Sequence, residues 1–103
     1  MKIKEVVFLD DVSDDLDAGI SFYEEKESWL GDYFLDSIIS DLESLRIYAG
    51  IHSKHFGYHR MSSKRFPFAI YYDVFDDIAV VVAVLDMRRK PTWIRRKLKK
   101  RRN

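Results

Sequence analysis

The side chains able to do chemistry are concentrated in the second half of the chain. His52, His55 and His59 fall close together, and Arg60, Lys64 and Arg65 follow them. Arg88 and Arg89 then lead into a run in which Trp93 is followed by Arg95, Arg96, Lys97, Lys99, Lys100, Arg101 and Arg102. Arg and Lys hold a permanent positive charge that can stabilise a phosphate, and His or Tyr can exchange a proton beside it. Tyr71 and Tyr72, between the two basic groups, are the tyrosines in position to do so. Their adjacency on a strand puts at least one of them in the core, which is the competing reading. The three histidines lack a supporting carboxylate or a definite helix, so they read as surface loop residues and no metal is expected. Cysteine is absent, which excludes disulfides, thiolate metal sites and thiol nucleophiles. Nothing in the sequence calls for a cofactor.

Charge is unevenly divided. Residues 1–86 carry all 17 acids and only eight Lys or Arg, whereas residues 87–103 carry ten Lys or Arg and no acid. Such a split marks a basic arm that meets something anionic: nucleic acid, an acidic partner, or the protein's own acidic helices. Arg95, Arg96 and Lys99, with Lys64 nearer the middle of the chain, suit phosphates, and Trp93 suits stacking on a base. Alternatively Trp93, Ile94 and Leu98 dock on an apolar groove of a partner, or the arm is merely solvated. The longest apolar run, Ile78 to Leu85, is eight residues and too short to span a bilayer. The first apolar run, Ile3 to Leu9, lacks the features of a secretory signal. A soluble, cytoplasmic protein without membrane contact is expected.

The elements that must position these residues follow from hydrophobic period. Residues 3–9 read as a strand. Val12, Leu16, Ile20 and Tyr23 recur at helical spacing with aspartates between them, capped by Asp10 or Asp11, and Gly19 within this helix marks a close approach. Phe34, Ile38, Leu42, Leu45 and Ala49 form the stripe of a second helix that stops at Gly50. The acids of both helices belong to a solvated face. His55–Met61 is a weak strand, Phe66–Val74 a stronger one, and Ile78–Leu85, apolar on both faces, an interior one after a turn at Asp76 and Asp77. The order β-α-α-β-β-β gives an α+β fold with a helical hairpin on a mainly antiparallel sheet. Its length suits one domain, residues 1–91, with a basic C-terminal tail, 92–103, that is helical or mobile until bound.

In that order, several stretches resemble the RelE/ParE superfamily of type II toxin–antitoxin systems, the plasmid stabilisation family. They are Phe22-Tyr23-Glu24, Leu30-Gly31-Asp32-Tyr33-Phe34, Arg65-Phe66-Pro67-Phe68-Ala69-Ile70-Tyr71-Tyr72, and Ala83-Val84-Leu85-Asp86-Met87-Arg88-Arg89-Lys90-Pro91. The resemblance covers most of residues 3–93. It implies a bacterial toxin neutralised by a cognate antitoxin that wraps it with an extended or helical segment. It also implies one of two activities: ribosome-dependent mRNA cleavage without a metal, or inhibition of DNA gyrase.

Cleavage of RNA by its own 2′-OH needs proton removal, charge stabilisation and protonation of the leaving oxygen. The catalytic candidates are therefore Arg60, Arg65, Arg88, Arg89 and Tyr72, with Arg60 and Arg88 or Arg89 at positions where relatives carry basic residues. Three departures stand against an endoribonuclease, the first being that no Lys pair precedes Arg60, where Lys54 is single beside His52 and His55. Asp86 occupies the position where many relatives have His, and Lys90 replaces an acid. The alternative role is a catalytically inactive interaction module, an antitoxin partner or corepressor.

Overall fold

Strands of unequal length and two glycine contacts dictate how this chain closes. The structure is a computed structural model and describes residues 3–101. Strand β1 (Glu5–Phe8) leads into helix α1 (Asp11–Glu24), helix α2 (Leu30–Glu43) and a single-turn helix α3 (Leu45–Tyr48). Strands β2 (Lys54–His55), β3 (Tyr58–Ser62), β4 (Phe68–Phe75) and β5 (Ile78–Asp86) follow, and helix α4 (Pro91–Arg101) closes the described chain. The sheet runs β1-β5-β4-β3-β2, with β1 parallel to β5 and the other pairs antiparallel. This is the α+β arrangement expected.

Alternation along β4 sorts the core into two halves. Phe68, Ile70 and Tyr72 face the α1–α2 hairpin and pack with Tyr23, Phe34, Ile38 and Leu42. Ala69 and Tyr71 face the other way and pack with Ile94 and Leu98 of α4. β5 serves both halves through a register shift: Tyr71 pairs with Ala83 but Tyr72 with Val81, so Val82 is the extra residue. The shift lets Val82 and Ala83 both lie on the α4 side while Val81 and Val84 serve the hairpin side.

The hairpin closes through its glycines. A Cβ built on Gly19 would stand 2.5 Å from Cε2 and Cζ of Phe34, and one on Gly31 would stand 3.0 Å from the carbonyl oxygen of Ile20. Phe34 is fully buried, with ring centroids 5.2 Å from Tyr23, 5.1 Å from Phe66 and 4.8 Å from Phe68. Gly50, expected as the helix stop, has φ +98° after α3, a conformation other residues rarely adopt.

Several boundaries differ from expectation for identifiable reasons. The weak strand is split into β2 and β3 by a tight turn at Phe56 and Gly57, both with positive φ. β4 starts at Phe68 because Pro67 has no N–H to give the ladder and Phe68 N–H turns back to the carbonyl of Phe66 at 2.7 Å. Asp10 takes the N-cap position of α1 without a side-chain capping bond, so the acids of this turn act through the helix dipole. Residues 92–101 of the expected tail are helical and buried along one side, and Arg102 and residue 103 lie outside the described residues.

The Gly19 contact makes a sharp expectation. Gly19→Ala gains helix propensity of about 1 kcal/mol, yet it forces the enclosed Phe34 ring out of place, which costs about 1–3 kcal/mol. Urea unfolding should show net destabilisation, and an equally or more stable variant would mean that the ring can move.

Candidate functional site

The longest strand outruns its neighbour, and the candidate site lies where it does. β1 stops at Phe8 opposite Val81, and the last backbone bond on that side runs from Leu9 N–H to the Val81 carbonyl at 3.0 Å. From Val82 to Asp86 the outer edge of β5 has no strand beside it among the described residues. Side chains fill the role instead. Asp15 of α1 accepts the Val84 N–H at 2.9 Å, and Arg101 of α4 donates to the Val82 carbonyl at 3.1 Å. Arg101 also donates to both carboxylate oxygens of Asp15, at 2.5 and 2.7 Å, and lies 3.7 Å from Asp11. The Arg101 and Asp15 side chains are only 8% and 6% exposed. The hydrogen bonds that Arg101 donates to Asp15 hold its guanidinium above the usual arginine range against the opposing effect of burial.

Above this edge runs a groove of about 670 Å³ between α1 and α4. Asp11, Asp14 and Asp15 form one wall; Arg88, Arg89, Lys97 and Arg101 form the other; Phe22, Phe68 and Trp93 contribute apolar surface. The Arg88 side chain is engaged by Asp86, with Nε donating at 3.0 Å and Nη2 at 2.7 Å, while its backbone N–H donates at 2.9 Å. These bonds, the Arg88 side chain foremost, hold the Asp86 carboxyl below its ordinary range. Arg89 and Lys97 lie over the Trp93 ring at 4.4 and 5.4 Å. Arg88, Arg89 and Trp93 are thus brought together.

The other candidates lie elsewhere. Arg60 pairs with Tyr71 in the β3–β4 ladder. Its charge draws the buried Tyr71 hydroxyl downward, but burial dominates and raises it, and no well-aligned hydrogen bond forms. Tyr72 points to the opposite face, fully buried. Its hydroxyl accepts the Gly50 N–H at 2.9 Å and is hydrogen-bonded to His52 Nδ1, with the His59 ring stacked at 5.1 Å. Burial pushes this hydroxyl up as well, away from proton exchange near neutrality. His59 Nδ1 sits 2.6 Å from the His52 carbonyl, so two of the histidines form a core-edge cluster. Lys64 and Arg65 are exposed between β3 and β4, Arg95 and Lys99 line a shallow cleft of about 270 Å³ with Phe56 and Tyr58, and Arg96 is exposed.

Three features escape a sequence reading. Asp15 belongs to the solvated acids by pattern, yet it is buried; the available signal is that Asp11, Asp15, Ala18 and Phe22 form a second stripe at helical spacing. Its partner Arg101 is 86 residues away, with no local signal at all. Ile94 and Leu98, one alternative for docking on a partner, are buried against the chain's own sheet.

No protein-family model matches the chain, and no curated protein matches it. Among solved structures, a chain of the chromosomal ParDE TA system from P. aeruginosa is similar in fold, with a TM-score of 0.73 at 16% sequence identity. The match covers 82% of this chain and 96% of that chain. At this identity the likeness is one of architecture: the chain has a RelE/ParE-type fold. No described helix is long and apolar enough to cross a membrane.

The edge clamp should be the most sensitive polar contact in the protein. Asp15→Ala leaves the Val84 N–H without its acceptor and the buried guanidinium with only the Val82 carbonyl and the more distant Asp11, and Arg101→Ala leaves a buried carboxylate without its cation. Each should cost about 3–5 kcal/mol in urea unfolding, and the double variant should be far less destabilised than the sum. Additive losses would mean that the two side chains act independently.

His52 supplies a pH signature. Burial, then the neighbouring His59, hold its pKa below the ordinary value. The folded protein therefore binds fewer protons at this site than the unfolded chain. Its stabilising contribution is complete above the unfolded value of ~6.5 and is lost as pH falls through the folded value. Melting temperature should drop from pH 7 to pH 5 by more in the native protein than in His52→Asn, and parallel curves would show that His52 is not the group responsible.

Proposed function

We propose that this chain is the toxin component of a type II toxin–antitoxin pair, and that it arrests growth by holding a protein target, in the manner of gyrase inhibition, rather than by cutting mRNA on the ribosome. One observation carries the choice of mechanism: Arg60, Arg65, Arg88 and Tyr72 do not converge, and the hydroxyl that does stand by Arg88, that of Tyr23, is pushed above the ordinary tyrosine range by burial. Arg88 is neutralised by Asp86, and no histidine stands near it: His59 is paired with Tyr72 in the β3–β4 ladder while Asp86 is paired with Phe68, four residues along β4. Arg60 and Tyr72 sit on opposite faces of the sheet, and Arg65 projects from a loop. A phosphate bound at Arg88 would meet the Asp86 carboxylate at the same point.

The fold likeness to a ParDE chain supports an antitoxin as the partner. The groove between α1 and α4 is the surface suited to receive it. It offers aromatic anchors in Phe22 and Trp93 between walls of opposite charge, which fixes the direction of a bound segment as well as its position. An inactive interaction module that serves only as antitoxin partner or corepressor would use the same groove.

Inducible expression in a bacterium, with labelled thymidine and amino-acid incorporation followed over the first minutes, separates these readings. Thymidine incorporation should fall first, and Arg60→Ala should leave the arrest intact. If amino-acid incorporation collapses first and Arg60→Ala abolishes the effect, the ribonuclease mechanism replaces this one. If neither signal falls while soluble protein accumulates, the chain is the interaction module.

A further inference from the structure

We infer that the outward face of α4 is a contact surface for the phosphate backbone of duplex DNA. Packing decides which side chains that face presents. Ile94 and Leu98 are buried against the sheet, and Trp93, Lys97 and Arg101 turn toward the α1 groove. What remains outside is Arg95, Arg96, Lys99 and Lys100, all exposed. Among the described residues none of the four takes part in an ion pair, and residues 87–103 contain no acid. At ~1.5 Å per residue the four charges extend ~7.5 Å along the helix, a length over which B-form DNA presents about four phosphates.

Other anionic partners fit this face less well. A stable protein interface needs apolar or aromatic anchors at its centre and is depleted in Lys. The large exposed hydrophobic residues of this protein all lie between Phe8 and Phe75, none of them on α4. Single-stranded nucleic acid needs free aromatic faces for stacking. Here Trp93 turns into the α1 groove, away from this face, and Phe56 lies under Arg95 at 5.4 Å. Duplex RNA buries its major groove too deeply for a helix, whereas the B-form groove is ~12 Å wide and admits one. The contact proposed is to phosphates, which carry no sequence information, so it should be indifferent to sequence. This surface is separate from the α1–α4 groove and stands whether or not the chain arrests growth.

Fluorescence anisotropy of a labelled DNA duplex with the full-length protein tests the inference. Affinity should fall steeply between ~50 and ~200 mM salt, and duplexes of unrelated sequence should bind alike. The combined variant R95Q/R96Q/K99Q/K100Q should lose at least tenfold in affinity, with the slope of log affinity against log salt reduced by ~3–4. Its melting curve should match the native one, since the replaced side chains are exposed. Were the combined variant less stable, R96Q and K100Q alone should each reduce the slope by ~0.9. Unchanged affinity in these variants overturns the inference, as does tighter binding to a single strand or to RNA duplex of the same sequence. Binding to polyglutamate as strong as to DNA also overturns it and marks the face as a site for acidic proteins.

Discussion

β5 is nine residues long and β1 is four, and much of this molecule's design answers that mismatch. An exposed strand edge presents backbone groups that pair with any other strand that arrives. Here the overhang is covered by one carboxylate and one guanidinium, reaching in from α1 and α4. The same two side chains therefore cap a strand, neutralise each other away from water, and join helices on opposite sides of the sheet. Neither charge is tolerable alone at that depth, and together they leave few hydrogen-bonding groups unanswered. The groove above them exists because a strand is missing there.

Much of the architecture was legible in the sequence because it depends on local period. The stripe Phe34, Ile38, Leu42, Leu45, Ala49 is buried throughout, the alternation Phe68, Ile70, Tyr72 faces the helices, and Ile78–Leu85 is apolar on both sides because helices cover both. Gly19 and Gly50 also declared themselves, one by standing inside a helix and the other by ending it. The candidate site was legible only in part. Arg88, Arg89 and Trp93 are neighbours in sequence and remain neighbours in space. Asp15 was misread, since an aspartate among aspartates carries no mark that distinguishes the buried one. Tyr72 shows the same limit: its strand position identifies a core face, but nothing local discloses that its hydroxyl is occupied by Gly50 and His52.

The division of charge acquires a spatial meaning once the helices are placed. The acids of α1 and the cations of α4 meet only along the groove, where Asp15 and Arg101 are in contact. Away from it the two helices present opposite signs to solvent. A near-zero net charge thus belongs to a strongly polar object, which in solution experiences torque as well as attraction when it nears a charged partner.

The clamp also orders events during synthesis. Asp15 and β1 are made before the partners they require, Arg101 and β5, which follow 86 positions later in the case of Arg101. At a translation rate of ~5–20 residues per second, the nascent α1–α2 hairpin, complete at Glu43, waits roughly 2–8 s for Val84, the last of the strand residues that cover its apolar stripe. A chaperone or an early-binding partner therefore has a window in which to cover that stripe before the sheet does.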